Sequence, residues 1–172
     1  MHESWIRGLA LIALACTAAI GPLGASAANC PDFEADPVST ALRRPVTGGD
    51  TEPSAGFGMR TNPVLGAARL HTGVDWTAPM GTAVVAAVRG RVIAAGTEGA
   101  YGKRVIVDHG ASYQTMYAQL GTITVAVGDC VAAGDLIGTV GVSGLTTHPH
   151  LHFEVRHKGQ PIDPMSLSWV RP

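Results

Sequence analysis

From residue 83 onward, short apolar runs recur between breaks rich in glycine, proline and aspartate: 83–88, 91–95, 104–107, 113–117, 122–127, 135–140 and 150–155. Seven such runs in so short a stretch predict an all-β fold, a small antiparallel β-sandwich or folded sheet with glycine-rich hairpins. A helix would need apolar positions three and four residues apart over a long window, and no stretch sustains that repeat. The densest turn signals lie in 127–138, where β-branched residues alternate with Gly128, Gly134 and Gly138, as in a hairpin-rich wall. The chain contains 22 glycines and 11 prolines, which reinforces the reading of many short strands.

The first residues break this pattern. Arg7 precedes an apolar run over 8–20, and Ala25, Ser26 and Ala27 follow in small-x-small order, the signature of a secretory signal peptide over 1–27 cleaved near Ala27 or Ala28. The run is shorter than the roughly 20 apolar residues that span a bilayer, so no membrane span is expected in the mature form. Residues 28–54 are rich in proline, aspartate and threonine and read as an extended lead-in or linker, with the folded domain over 55–172.

At 172 residues, 46% hydrophobic and 15% charged, the chain can bury one ordinary core. Its formal net charge of −1 is unchanged by loss of 1–27, which removes Arg7 and Glu3 together, and no basic patch points to nucleic acid. Cys16 leaves with the signal. Cys30 and Cys130 remain, and in an oxidising compartment a disulfide between them is the expectation, two unrelated thiols being the alternative. Neither Cys16 nor Cys30 has the leucine three residues upstream that marks a lipid-attachment cysteine. The 127–138 pattern also occurs in biotinyl and lipoyl carrier domains. Those need an acceptor lysine on an exposed turn, and neither Lys103 nor Lys158 lies in such a hairpin.

The candidate chemistry lies in the segment 147–155, where His148, His150 and His152 alternate with Pro149, Leu151 and Phe153. On a strand, positions i and i+2 share a face, so His150 and His152 are presented together while Leu151 and Phe153 turn to the core. Imidazole is a common zinc ligand, and two on one strand make half of a metal site. His71 and Asp75, with Gly73 between them, offer a further imidazole and carboxylate from a non-helical segment. Three such ligands leave a fourth tetrahedral position open for water, as catalytic zinc requires. Of the remaining histidines, His109 before Gly110 reads as a turn residue and His157 beside Lys158 as solvent-exposed.

The chain resembles the lysostaphin and LytM type of zinc endopeptidases, peptidase family M23. The residues that carry the resemblance are Phe57, Gly58, Met59 and Arg60 with Asn62 and Pro63; His71-x-Gly73-x-Asp75; Tyr117-Ala118-Gln119-Leu120; the glycine-rich hairpins; and His150-Leu151-His152-Phe153-Glu154, together running from Gly56 to Pro164. The resemblance implies a LytM-like fold related to barrel-sandwich hybrids. It implies that His71, Asp75 and His152 hold Zn2+, that His150 is catalytic, and that the substrate is a peptidoglycan peptide reached after export to the periplasm or the medium.

Gln119 departs from the family pattern, because it occupies the place of the second catalytic histidine in Tyr-x-His-Leu. A glutamine can donate a hydrogen bond to an oxyanion but cannot exchange a proton. Two accounts stay open for that function: it is lost, or His148 supplies it. The rival to an active enzyme is a weak or silent relative that binds peptidoglycan or activates a cell-wall amidase.

Overall fold

The computed structural model describes residues 30, 41–49, 52–62 and 64–170. The signal-peptide reading over 1–27, most of the lead-in and Pro63 fall outside the described residues. Eleven strands appear among them: β1 (Gly58–Thr61), β2 (Ala68–His71), β3 (Val74–Thr77), β4 (Ala83–Val85), β5 (Gly90–Glu98), β6 (Gly102–Asp108), β7 (Tyr113–Ile123), β8 (Cys130–Val131), β9 (Leu136–Val140), β10 (His150–His157) and β11 (Gln160–Ile162). The expected all-β class is therefore found, and no described helix is long and apolar enough to cross a membrane.

β1 and β2 form a separate two-stranded hairpin, while the other nine strands make one folded antiparallel sheet. β7 organises it. One edge of β7 pairs with β6, and the other is shared between β10, along 113–118, and β9, along 120–123. At that division the sheet splits into a β10–β3 arm and a β9–β4 arm. The predicted run at 122–127 is accordingly not a strand of its own. Its first residues extend β7, and the chain then turns at Ala126, whose N–H donates to Asp129 Oδ2. The same device recurs six residues later, where the Ala132 N–H donates to Asp135 Oδ2; Gly128 and Gly134 supply the positive φ both turns need.

Between the folded layers lies a core of Val74, Trp76, Val105, Tyr117, Leu120, Ile137, Leu151, Phe153 and neighbours. Phe153 is fully buried, with its ring 5.3 Å from Tyr117, 5.9 Å from Trp76 and 5.9 Å from Trp169. Leu42 and Val46 are buried in the same core and bridge to Trp169 and Val84, so the packed unit reaches back into the segment read as a linker. A Leu42 side chain leaves water only by packing, and the backbone bonds from Leu42 N to Ser168 O and from Arg43 N to Ala87 O hold it there. Cys30 is bonded to Cys130, with Cα atoms 5.4 Å apart, which anchors the start of this segment to β8.

His109 is not a turn residue. It is fully buried at the end of β6, with Nδ1 2.7 Å from the Arg89 carbonyl and Nε2 2.8 Å from Thr115 Oγ1. A carbonyl can only accept, so Nδ1 carries the proton and Nε2 accepts from the Thr115 hydroxyl. Thr115 Oγ1 also lies 2.9 Å from Tyr117 Oη, whose oxygen takes the Ala87 N–H at 2.8 Å. His157 is half-buried rather than exposed, stacked on Tyr113 with centroids 4.2 Å apart.

Candidate metal centre

Alternation along β10 places Leu151, Phe153 and Val155 in the core and turns His150, His152 and Glu154 to the opposite face. β3 pairs with β10 in a register that sets Asp75 directly opposite His152, and their Oδ1 and Nδ1 atoms lie 2.8 Å apart. His71 ends β2, and Thr72 and Gly73 carry the chain from the hairpin into β3. A Cβ on Gly73 would lie 2.1 Å from the Phe153 carbonyl oxygen, so only glycine lets the chain cross this close to β10. The four-residue spacing from His71 to Asp75 is thus a bend between two sheets. It brings His71 Nε2 to 3.1 Å from both Asp75 Oδ1 and His152 Nδ1.

The outward hydrogen bonds decide what these three atoms can hold. His71 Nδ1 donates to the Gly56 carbonyl at 2.6 Å, which turns Nε2 toward the site. His152 Nε2 faces Glu154 Oε1 at 3.1 Å and donates to it, which turns Nδ1 toward Asp75 and the centre. Asp75 Oδ1 is an ionised carboxylate oxygen. Burial disfavours its charge, but the His152 and His71 rings hold the carboxyl well below the usual range. With both rings unprotonated on these atoms, three lone pairs meet close together, an arrangement suited to a cation at its centre. Without a metal a proton has to serve: burial alone would lower the His152 pKa, yet Asp75 and Glu154 on its two sides push it up to about 9.

Glu154 is fully buried and anchors the outer layer of the site. Its Oε1 also accepts from the Thr72 and Tyr101 hydroxyls, and its Oε2 from Arg156 Nε at 2.8 Å. Burial opposes its charge, but the His152 and Thr72 hydrogen bonds and the Arg156 charge bring it down to about 2. Arg60, from β1, holds Asp75 Oδ2 at 2.9 Å. Both carboxylates are thereby oriented and ionised, as ligand and ligand-supporting groups must be.

A cavity of about 270 Å³ opens on the three atoms, lined in addition by Tyr101, Gln119 and His150. His150 donates from Nδ1 to the His148 carbonyl at 2.9 Å, leaving Nε2 bare and 3.8 Å from Asp75 Oδ1. Burial pushes its pKa down, so the ring stands neutral beside the centre. Gln119 also lines the cavity, but its amide is engaged at both ends: Nε2 donates to the Ala100 carbonyl at 3.0 Å and Oε1 accepts the Gly144 N–H at 2.8 Å. His148 precedes the strand, is exposed, and does not line the cavity; only its ring, 5.2 Å from that of His150, comes near.

The structure therefore unites His71, Asp75, His150 and His152, with Gln119 on the wall. Sequence reasoning assigned no role to Arg60, Tyr101 or Glu154. Glu154 was visible in principle, because it continues the alternation of His150 and His152. Tyr101 carries no such signal, since it arrives from the turn between β5 and β6.

A family model described as peptidase family M23 matches residues 69–164. A relative named DD-carboxypeptidase/endopeptidase Mpg, from Neisseria meningitidis serogroup B, is 43% identical over 122 residues, which is 71% of this chain and 28% of that protein. The chain thus spans less than a third of that curated relative. Among solved structures, a zinc containing peptidase from Vibrio cholerae superposes with a TM-score of 0.67 at 32% identity, covering 76% of this chain and 41% of that one. The catalytic domain of lysostaphin from Staphylococcus simulans superposes with a TM-score of 0.59 at 31% identity, covering 67% and 90%.

Proposed function

We propose that this chain, which belongs to peptidase family M23, is a zinc-dependent endopeptidase that hydrolyses peptide cross-links of bacterial peptidoglycan. The observation that carries the reading is the convergence of three candidate ligand atoms, His71 Nε2, Asp75 Oδ1 and His152 Nδ1, on an open cavity. Two imidazole nitrogens and one carboxylate oxygen suit zinc, whereas calcium and magnesium take oxygen shells. The name of the similar zinc containing peptidase supports the metal, and that of Peptidoglycan DD-endopeptidase ShyB from Vibrio cholerae, 35% identical over 124 residues, supports the substrate class.

When bound, zinc supplies the Lewis acid for the scissile carbonyl and acidifies the attacking water. The chain's own groups do the rest. Arg60 and Glu154 fix Asp75 and His152 so that their donor atoms need no reorientation. His150 Nε2, bare and neutral, accepts the proton of the attacking water and returns it to the leaving amine. Gln119 Nε2 has one hydrogen that Ala100 does not take, and it serves as a donor to the developing oxyanion. The chain acts outside the cytoplasmic membrane, in the periplasm or the medium, a setting that suits the Cys30–Cys130 disulfide.

The test is digestion of isolated peptidoglycan by zinc-loaded protein, followed by chromatography of the muropeptides. Cross-linked dimers should fall and monomers rise, the change should stop with a chelator, and added zinc should restore it. Unchanged dimers would end the hydrolase reading and favour a silent protein that binds peptidoglycan or activates an amidase.

A further inference from the structure

In the β1–β2 hairpin, Arg60 stands directly opposite Arg69, and Gly58 directly opposite His71. Directly opposed residues of an antiparallel pair share a face, as do positions two apart on one strand, so Arg60, Arg69 and His71 all point the same way. All three line the cavity. The hairpin is held firmly: Asn62 Oδ1 accepts the Val64 and Leu65 N–H groups, and the Asn62 N–H donates to the Ala67 carbonyl.

Two like charges facing each other across a ladder are destabilising, and an anion beside either one relieves the repulsion. Arg60 has one in Asp75. Arg69 has no hydrogen-bond or ion-pair partner among the described residues, and it is exposed at the cavity rim two residues, about 7 Å along the strand, from the ligand His71. Among the described residues, Asp75 is the only acidic side chain in the cavity lining, and it is already shared between Arg60 and the metal-site histidines. Among the described residues, the cleft thus carries an unpaired guanidinium beside its reactive centre and no carboxylate paired with it.

We infer that Arg69 is a specificity-determining residue that binds a carboxylate of the peptide substrate close to the scissile bond. The inference rests on the peptidase reading of the same site and names the feature of the peptide it prefers. A guanidinium presents two parallel N–H donors that match a carboxylate, which explains arginine rather than lysine at this position. Among the described residues Arg69 makes no hydrogen bond or ion pair with the metal-site atoms, so its role is in substrate binding rather than in turnover.

The experiment is calorimetric binding of the zinc-loaded full chain to a cross-linked stem-peptide dimer whose scissile amide is N-methylated against cleavage. The probe is prepared with free carboxyl groups and with those groups amidated. Wild type should bind the free form about tenfold more tightly than the amidated form, as a charge-assisted pair provides. Arg69→Gln should lose that preference and bind the amidated form as wild type does, with zinc content unchanged. Arg69→Lys should keep part of the preference. Equal binding of both forms by wild type would overturn the inference. So would an Arg69→Gln variant that still prefers free carboxyls, because the metal would then be the anion's partner, or one that weakens equally toward both forms, because the role would then be structural. Discrimination in binding without any digestion of peptidoglycan would uphold the carboxylate site and remove the hydrolase reading.

Discussion

Glu154 Oε1 lies 3.1 Å from His152 Nε2, on the side of the ring opposite the Asp75 contact, so one fully buried carboxylate is placed to hold a proton on Nε2 and leave Nδ1 toward the centre. Glu154 thus supports the tautomer that leaves Nδ1 free for a metal. Replacing this carboxylate by Gln keeps the shape and removes the charge that fixes the proton on Nε2. Glu154→Gln should lower zinc affinity about 10-fold to 100-fold, the usual cost of losing a partner behind a histidine ligand. Competition with a chromogenic chelator reads this directly, and an unchanged affinity would mean the Glu154 contact is incidental.

Gln119 spans the cavity wall from Ala100 to Gly144, two loops that also meet through the Leu145 N–H bond to the Ala100 carbonyl. A Cβ at Gly144 would lie 2.7 Å from Gln119 Oε1, so the loops leave no slack around the amide. A histidine cannot satisfy both backbone partners in the same geometry. Gln119→His should therefore cost about 1–3 kcal/mol through an unsatisfied buried group and should not raise peptidoglycan hydrolysis. Urea unfolding and muropeptide release measured side by side decide it. A stable, faster variant would show that a second imidazole is the missing element.

The buried chain of hydroxyls and imidazole at His109, Thr115 and Tyr117 gives the fold its own pH dependence. Burial lowers the His109 pKa below its ordinary 6.5, partly offset by the bond to the Arg89 carbonyl and the charge of Asp108. A histidine lowered in the folded state binds its proton more readily when unfolded, so its contribution is fully present above about 6.5 and is lost as pH falls from there toward the folded value. Protonation would also place a donor where Nε2 now accepts from Thr115. The loss of thermal midpoint between pH 7 and pH 5 should be smaller in zinc-loaded His109→Gln than in wild type. Parallel curves would show that His109 does not titrate with unfolding.

Much of this architecture is legible in the chain. The run from His150 to Glu154 can be read residue by residue, because both faces of β10 are buried, one against the core and one around the site, and a period of two reports both. His71 and Asp75 were found from residue type, but their convergence depends on Gly73 passing against Phe153, a tertiary contact that spacing cannot reveal. The same holds for Tyr101, carried to Glu154 by a turn, and for His109, whose following glycine signals a turn while the Arg89 carbonyl draws the ring inside. Leu42 and Val46 lie among prolines and polar residues, so their burial follows from the surface they cover and not from any local pattern. The role of Gln119 was left between two accounts by the sequence. Its two backbone bonds, together with the exposed position of His148, favour a wall-building donor over an exchanged proton relay.

The measurement that bears most directly on the whole account is zinc stoichiometry paired with turnover in two neighbouring variants, His152→Ala and His150→Ala. Wild type should hold one zinc per chain and release cross-linked peptides. His152→Ala should lose the metal together with activity, since it removes a bare donor atom of the centre. His150→Ala should keep the metal and lose turnover, since its Nε2 faces the site without being one of the three converging atoms. Equal loss of zinc in both variants, or a wild-type chain that retains no transition metal after gentle purification, would contradict it.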